Sequence, residues 1–121
     1  MADRIYSRYR VRVPVYIALD EGVYRKELRL MSRDVSAGGL CFIETGRSIP
    51  LDADTRIFVA RLGDLDPNAH LRGRVVHRFL DPATSRFRVG IEFTEFLGIT
   101  RDELLARILD WESEETAPSQ S

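Results

Sequence analysis

The chain has 121 residues, 44% of them hydrophobic and 31% charged, and a formal net charge of −1. That length and balance suit one globular domain with a single core and exclude a disordered chain. The near-zero charge argues against a general binder of DNA, RNA or anionic membranes, which depends on a broad excess of Lys and Arg, so any anion site must be local.

The N-terminus, MADRIYSRYR, has no apolar signal core. The longest apolar runs fall far short of the roughly 20 residues that span a bilayer. The protein is therefore expected to be soluble and cytoplasmic, with no membrane insertion. Residues 1–8 carry no apolar period and are expected to form a flexible basic arm. Its cations run on into the first strand, because Arg8, Arg10 and Arg12 alternate with Tyr9 and Val11. In an extended segment the three arginines share one face. Of the 18 basic residues only Lys26 is lysine. Arginine's planar fork binds phosphates and guanine edges in two-pronged fashion, which lysine cannot do, although genome composition alone can also produce the bias.

Val11, Val13, Val15, Ile17 and Leu19 recur with a period of two, the mark of a strand with one buried face. Asp20 to Gly22 make a turn, and a second strand is expected from Val23 to Met31, with Leu28 and Leu30 on one face. The loop DVSAGG, Asp34 to Gly39, precedes a short strand, Leu40 to Ile43. Cys41 is the lone cysteine, so no internal disulfide forms, and its apolar neighbours mark it as a buried small side chain. PLDADT is a loop before the strand RIFVARL, which begins at Arg56. GDLDPNAH, Gly63 to His70, is a loop without the ladder of alternating oxygen ligands that calcium needs. LRGRVVHRF is a strand, DPATS a turn, and RFRVGIEF, Arg86 to Phe93, the last strand. The period then changes. Thr100 and Glu103 form a capping box, and Leu104, Leu105, Ile108 and Leu109 follow at helical spacing, so a helix is expected over Thr100 to Glu112 with its apolar stripe on the sheet. The remainder, residues 113–121, reads as a disordered acidic tail. Six short strands and one terminal helix imply a mainly β fold, an antiparallel six-stranded barrel with a C-terminal α-helix, over residues 9–112.

No catalytic constellation stands out, and the protein is not expected to be an enzyme. Asp34 and Ser36 are too close in sequence to flank His70 or His77 as a triad. Two distant histidines and one cysteine do not make a zinc site. No phosphate-binding glycine pattern is present. No cofactor or metal is expected.

Two motifs remain, and they carry a family resemblance. RYRVR, with Arg8 and Arg12, resembles the RxxxR element of the PilZ domain. DVSAGG, with Asp34, Ser36 and Gly39, is similar to that family's D/N-x-S-x-x-G element and follows in the right order. RVVHRF, RVGIEF and the terminal helix also look like the family's closing elements, so the resemblance runs from about Arg4 to Trp111. It implies a six-stranded barrel that binds cyclic di-GMP, a bacterial second messenger, at Arg8, Arg12, Asp34, Ser36 and Gly39. Arg10, Arg4 and Gly38 rank behind these. Many members carry a further arginine just before the first motif arginine, a position that helps set whether one ligand or a stacked pair binds. Here that position is Ser7, which leaves the stoichiometry open.

The chemistry of these residues suits that ligand on its own terms. Guanine shows two acceptors on its Hoogsteen edge to a guanidinium fork, and the phosphates accept charge-assisted bonds from the same residue type. An ionised Asp34 only accepts, so it fits guanine's donor edge and would favour guanine over adenine. Ser36 can bridge base or phosphate, and Gly38 and Gly39 permit a sharp turn and close approach. In the bland alternative, the arginines are a solvated strand entry and Asp34 and Ser36 close a turn. The expected function is a single-domain cyclic di-GMP receptor, a monomer or homodimer, that signals through contact with an unidentified effector protein. The alternative is a PilZ-like adaptor that binds proteins but no ligand. A barrel for single-stranded nucleic acid would need a basic groove lined with aromatics, which is missing.

Overall fold

The alternation that begins at Val11 becomes the strand β1 (Pro14–Glu21) in the computed structural model, which describes residues 7–21, 24–44, 49–62 and 68–116. Arg4 and all but the last two residues of the expected arm lie outside the described residues, as do 117–121 of the expected tail. The other strands are β2 (Tyr24–Met31), β3 (Asp34–Val35), β4 (Gly39–Ile43), β5 (Asp54–Val59), β6 (His70–Asp81) and β7 (Arg86–Leu97). A single 3-10 turn, Ala60–Leu62, follows β5, and the chain closes with the helix α1 (Arg101–Thr116).

The fold is mainly β with a C-terminal helix, as the periodicities require, but the expectation of six strands in a closed barrel is corrected. Seven described strands form one antiparallel sheet in the order β2-β1-β5-β6-β7-β4-β3, and β2 is not laddered to β3. The extra strand, β3, is only two residues long and lies within the acid loop, too short to leave a periodic signal. The segment before β1 spans the gap, through backbone bonds of Tyr9 with Val35 and of Ser32 N–H with Val13 O, and through the Ser32 side chain. Ser32, 1% exposed, donates its hydroxyl to Val11 O at 2.6 Å and accepts the Val13 N–H at 2.9 Å. The hydroxyl thereby satisfies two buried backbone groups that a ladder would otherwise pair. Two register shifts in β6, at Arg72/Gly73 and at Val75/His77, bend the long β6–β7 hairpin around the core.

The core is filled from both sides. Val11, Val13, Val15, Ile17 and Leu19 are all buried, as the alternation demands. From α1, Leu104, Ile108 and Trp111 enter at a spacing of four and three and are at most 2% exposed. Each such side chain contributes about 1.5–3 kcal/mol by burial. Leu109, expected on the same stripe, is 43% exposed, and Trp111 takes the inward position.

The helix starts as expected. Glu103 N–H donates to Thr100 Oγ1 at 3.1 Å, and Thr100 N–H to Glu103 Oε1 at 2.9 Å, the reciprocal capping box. Its end is a correction: Ser113 to Thr116, assigned to the tail, continue the helix. The reason is tertiary. Arg61 pairs with Glu114 at 2.5 Å and lies over the Trp111 ring at 5.6 Å, and the Arg12 N–H donates to Glu115 Oε2 at 2.9 Å. These cationic and donor partners offset the unfavourable placement of acids at a helix C-terminus. Among the described residues no helix is long and apolar enough to cross a membrane.

Candidate functional site

The two sequence motifs meet on one side of the sheet. Tyr9 and Val35 exchange both backbone hydrogen bonds, at 2.9 and 3.0 Å, so the segment before β1 lies antiparallel to β3. This fixes the arginines. Tyr9 packs on the core, Val11 and Val13 are within it, and Arg10 and Arg12 are exposed on the opposite face. Arg8 shares that face and donates Nη1 to Asp34 Oδ1 at 2.7 Å, across 26 residues of sequence. The pair is 27% and 19% exposed. Partly exposed pairs of this kind contribute on the order of 0–1 kcal/mol, so an incoming anion or base can open it.

The acid loop is built as a rigid turn. Ser36 is 4% exposed, and its Oγ accepts the N–H of Gly38 at 3.0 Å and of Gly39 at 3.1 Å. Ser36 N–H donates to Gly39 O at 2.8 Å, and Phe93 N–H to Gly38 O at 2.8 Å. The Ser36 hydroxyl is thus engaged inside the loop. Gly39 is required by packing: a Cβ there would lie 2.2 Å from Ile91 O on β7. Gly38 and Gly39 do not adopt the left-handed backbone that glycine uniquely tolerates. The serine and second glycine of the motif therefore shape the loop that presents Asp34. From α1, Arg101 Nε donates to Ala37 O at 3.3 Å, and its guanidinium lies 4.9 Å over the Phe96 ring. That tie between helix and acid loop leaves no local signal in the sequence.

Behind Asp34, the register places Cys41, Gly90 and His77 on the adjacent strands β4, β7 and β6. The His77 ring covers Gly90, where a Cβ would come within 2.2 Å of it. Burial raises the Cys41 thiol above its usual range and the Asp34 carboxylate adds to this, while Arg88, Arg8 and Arg33 oppose. An acid and three arginines therefore share one electrostatic neighbourhood around a buried thiol.

A cavity of about 680 Å³ is walled by Arg10, Arg12, Arg33 and Arg86, with Met31 and Glu115 of α1 also in its lining; Arg33 adjoins Asp34 in the chain and Arg10 lies two residues from Arg8. Arg33 precedes Asp34 directly and Arg86 opens β7; sequence reasoning singled out neither. Of the expected site residues, Arg8 and Asp34 are in contact, Arg10 and Arg12 line the cavity, and Ser36, Gly38 and Gly39 form the loop. Arg4 lies outside the described residues. Among the described residues no group of three or more His, Cys, Asp or Glu could hold a metal ion.

Comparison with known proteins gives a family and a fold. A family model of the PilZ domain matches residues 2–111. No curated protein matches the chain. Among solved structures, the chain resembles the inhibitor of motility MotI/DgrA of Bacillus subtilis, with a TM-score of 0.71 and 20% identity over 97% of this chain and 55% of that one. It also resembles K. pneumonia MrkH, solved as a complex with c-di-GMP, with a TM-score of 0.69 and 15% identity over 95% of this chain and 55% of that one. The PilZ domain of YcgR from Escherichia coli, solved with c-di-GMP, has a TM-score of 0.62 and 18% identity over 94% of this chain and 95% of that one. The chain thus spans about half the length of the first two, and identities this low speak for the fold alone.

Proposed function

Because the chain belongs to the PilZ domain family, we propose that it is a receptor for cyclic di-GMP and that Arg8, Arg12 and Asp34 are its principal ligand contacts. The observation that supports this reading is that two motifs 26 residues apart in sequence meet at 2.7 Å, a forked donor against a pure acceptor. Asp34 accepts from the guanine donor edge, the guanidinium groups of Arg8 and Arg12 take the Hoogsteen edge and the phosphates, and Arg10 assists. Ser36, Gly38 and Gly39 hold the loop that aims Asp34. In the ligand-free chain Arg8 and Asp34 neutralise each other, so the nucleotide inserts between them. The MrkH and YcgR structures, solved with this ligand, support the reading by analogy of fold. The output is a ligand-dependent contact with an effector protein.

The rival reading is an adaptor that binds a protein and no nucleotide. The same ion pair favours it, since Arg8 and Asp34 satisfy each other without a ligand.

Calorimetric titration separates the two. Wild type binds cyclic di-GMP, and Arg12→Ala weakens it by about 5- to 150-fold, the loss of one forked contact. Asp34→Ala weakens cyclic di-GMP more than the adenine analogue, because adenine lacks the donor pair that its carboxylate meets. A wild type that shows no binding heat, released or absorbed, at any temperature tested overturns the receptor reading. Equal losses for both dinucleotides would remove Asp34 from the role of base reader.

A further inference from the structure

Two groups of arginines in this fold stand apart from each other. Arg8, Arg61, Arg72, Arg78 and Arg88 each face a carboxylate, at 2.5 to 3.9 Å. Arg10, Arg12, Arg33 and Arg86 wall one cavity, and among the described residues their side chains make no ion pair and no hydrogen bond. Four cations gathered in one place repel one another over a screening distance of about 8 Å at physiological salt. A volume of about 680 Å³ falls within the usual size of a small-molecule site, and the lining pairs this cationic wall with apolar Leu30, Met31 and Ile43. Guanidinium groups over an apolar floor suit a flat heterocycle bearing phosphates.

One anion already stands there. Glu115 belongs to the last turn of α1, lines the cavity, and accepts the Arg12 N–H at 2.9 Å. The last turn of the helix carries no basic residue of its own. Glutamates at a helix C-terminus oppose the macrodipole, so this turn depends on the contacts of Glu114 and Glu115 with Arg61 and Arg12.

We propose that this cavity is the phosphate compartment of the nucleotide site, that Arg33 and Arg86 are ligand-binding residues, and that Glu115 is a resident anion which the ligand displaces. The inference rests on the receptor reading. An entering phosphate takes the cations that line the cavity with Glu115, repels its carboxylate, and removes the Arg12 N–H contact that holds the end of α1. Occupancy is thereby written into the order of the last helical turn, where a protein partner can read it.

The test uses the full chain, titrated with cyclic di-GMP by calorimetry at two salt concentrations, together with amide hydrogen exchange over Asp110 to Thr116. Arg33→Ala and Arg86→Ala each weaken binding about tenfold, the usual effect of losing a hydrogen bond to a charged group. Glu115→Gln keeps an acceptor for the Arg12 N–H but removes the charge. It should tighten binding about two- to fivefold, as expected for a screened, exposed charge, and the gain shrinks at high salt. In wild type the helix-end amides lose protection when cyclic di-GMP is added. If wild type binds the nucleotide while Arg33→Ala and Arg86→Ala bind equally well, and the helix end does not respond, this inference fails and the receptor reading stands. If Glu115→Ala changes affinity and Glu115→Gln does not, the residue is a structural cap rather than a competing anion. No binding by wild type overturns both readings together.

Discussion

The acid loop and the arginine wall adjoin at Arg33 and Asp34, but they are built on opposite plans. In the loop every motif residue has its bonding assigned: Asp34 to Arg8, Ser36 to Gly38 and Gly39, Gly39 to the close approach of β7. In the wall, Arg10, Arg12, Arg33 and Arg86 line open volume, and among the described residues one backbone amide there, that of Arg12, meets an acid. The loop is rigid, its polar groups already bonded to one another. The wall gathers like charges that repel one another. The contrast teaches that a motif residue can serve geometry rather than contact.

Three perturbations break or sharpen this contrast. Gly39→Val should have the largest effect. The new side chain starts 2.2 Å from a backbone oxygen that cannot move without breaking the β4–β7 ladder. A loss of about 3 kcal/mol or more is expected, at the upper end of overpacking penalties, visible as a large drop in melting temperature. A melting curve equal to wild type would show that the loop is not a packed template.

Smaller, and dependent on pH, is the effect of Asp81. It is a carboxylate in a paired region of the sheet, 5% exposed, and the hydrogen bonds from Ala83 N–H and Arg88 hold it below its ordinary value of 3.8. A depressed folded-state value contributes stability that is present above the unfolded value and is lost as pH falls through the folded one. Asp81→Asn should therefore be less stable than wild type at neutral pH, and the two should converge in acid below the ordinary carboxylate range. Urea unfolding at several pH values measures this, and a gap that persists unchanged in acid would dismiss the ion pair as its cause.

The smallest effect belongs to the wall itself. Arg10→Ala should change stability by no more than about 0.5 kcal/mol, since its side chain holds no described partner and the surface site lies outside the core. A loss beyond 1 kcal/mol in urea would mean that the wall is structural after all and that the contrast is false.

How legible the molecule was depends on the range of the interaction. Periods of two and of 3.6 are local, so β1, β2 and β4 to β7 and the start of α1 could be read from Val11, Leu28 or Thr100 within a few residues. The two-residue strand β3 was not legible, because a strand that short leaves no period. Neither was the open edge that Ser32 bridges, since a single serine carries no signal of its partners. The end of α1 was misjudged because acids at a helix C-terminus read as tail unless cations from elsewhere meet them. Arg61 does so with its guanidinium and Arg12 adds a backbone N–H donor, and both lie far back in the sequence.

The same division holds at the site. Arg8, Arg12 and Asp34 could be proposed from the sequence because each belongs to a motif whose residue types already state their chemistry: forked donors, and an acceptor that cannot donate. That Arg33 and Arg86 line a cavity could not be read, for among seventeen arginines nothing in the string distinguishes one that faces a carboxylate from one that faces a cavity. By itself, then, the sequence determined the kind of fold, its buried faces and the chemical type of ligand it suits. Only the tertiary structure decided which arginines are neutralised, which serine and glycine are spent on the loop, and which glutamate stands beside the cations. Backbone periodicity and side-chain chemistry are properties of near neighbours, whereas charge pairing is a property of distances that exist only once the sheet and helix have packed.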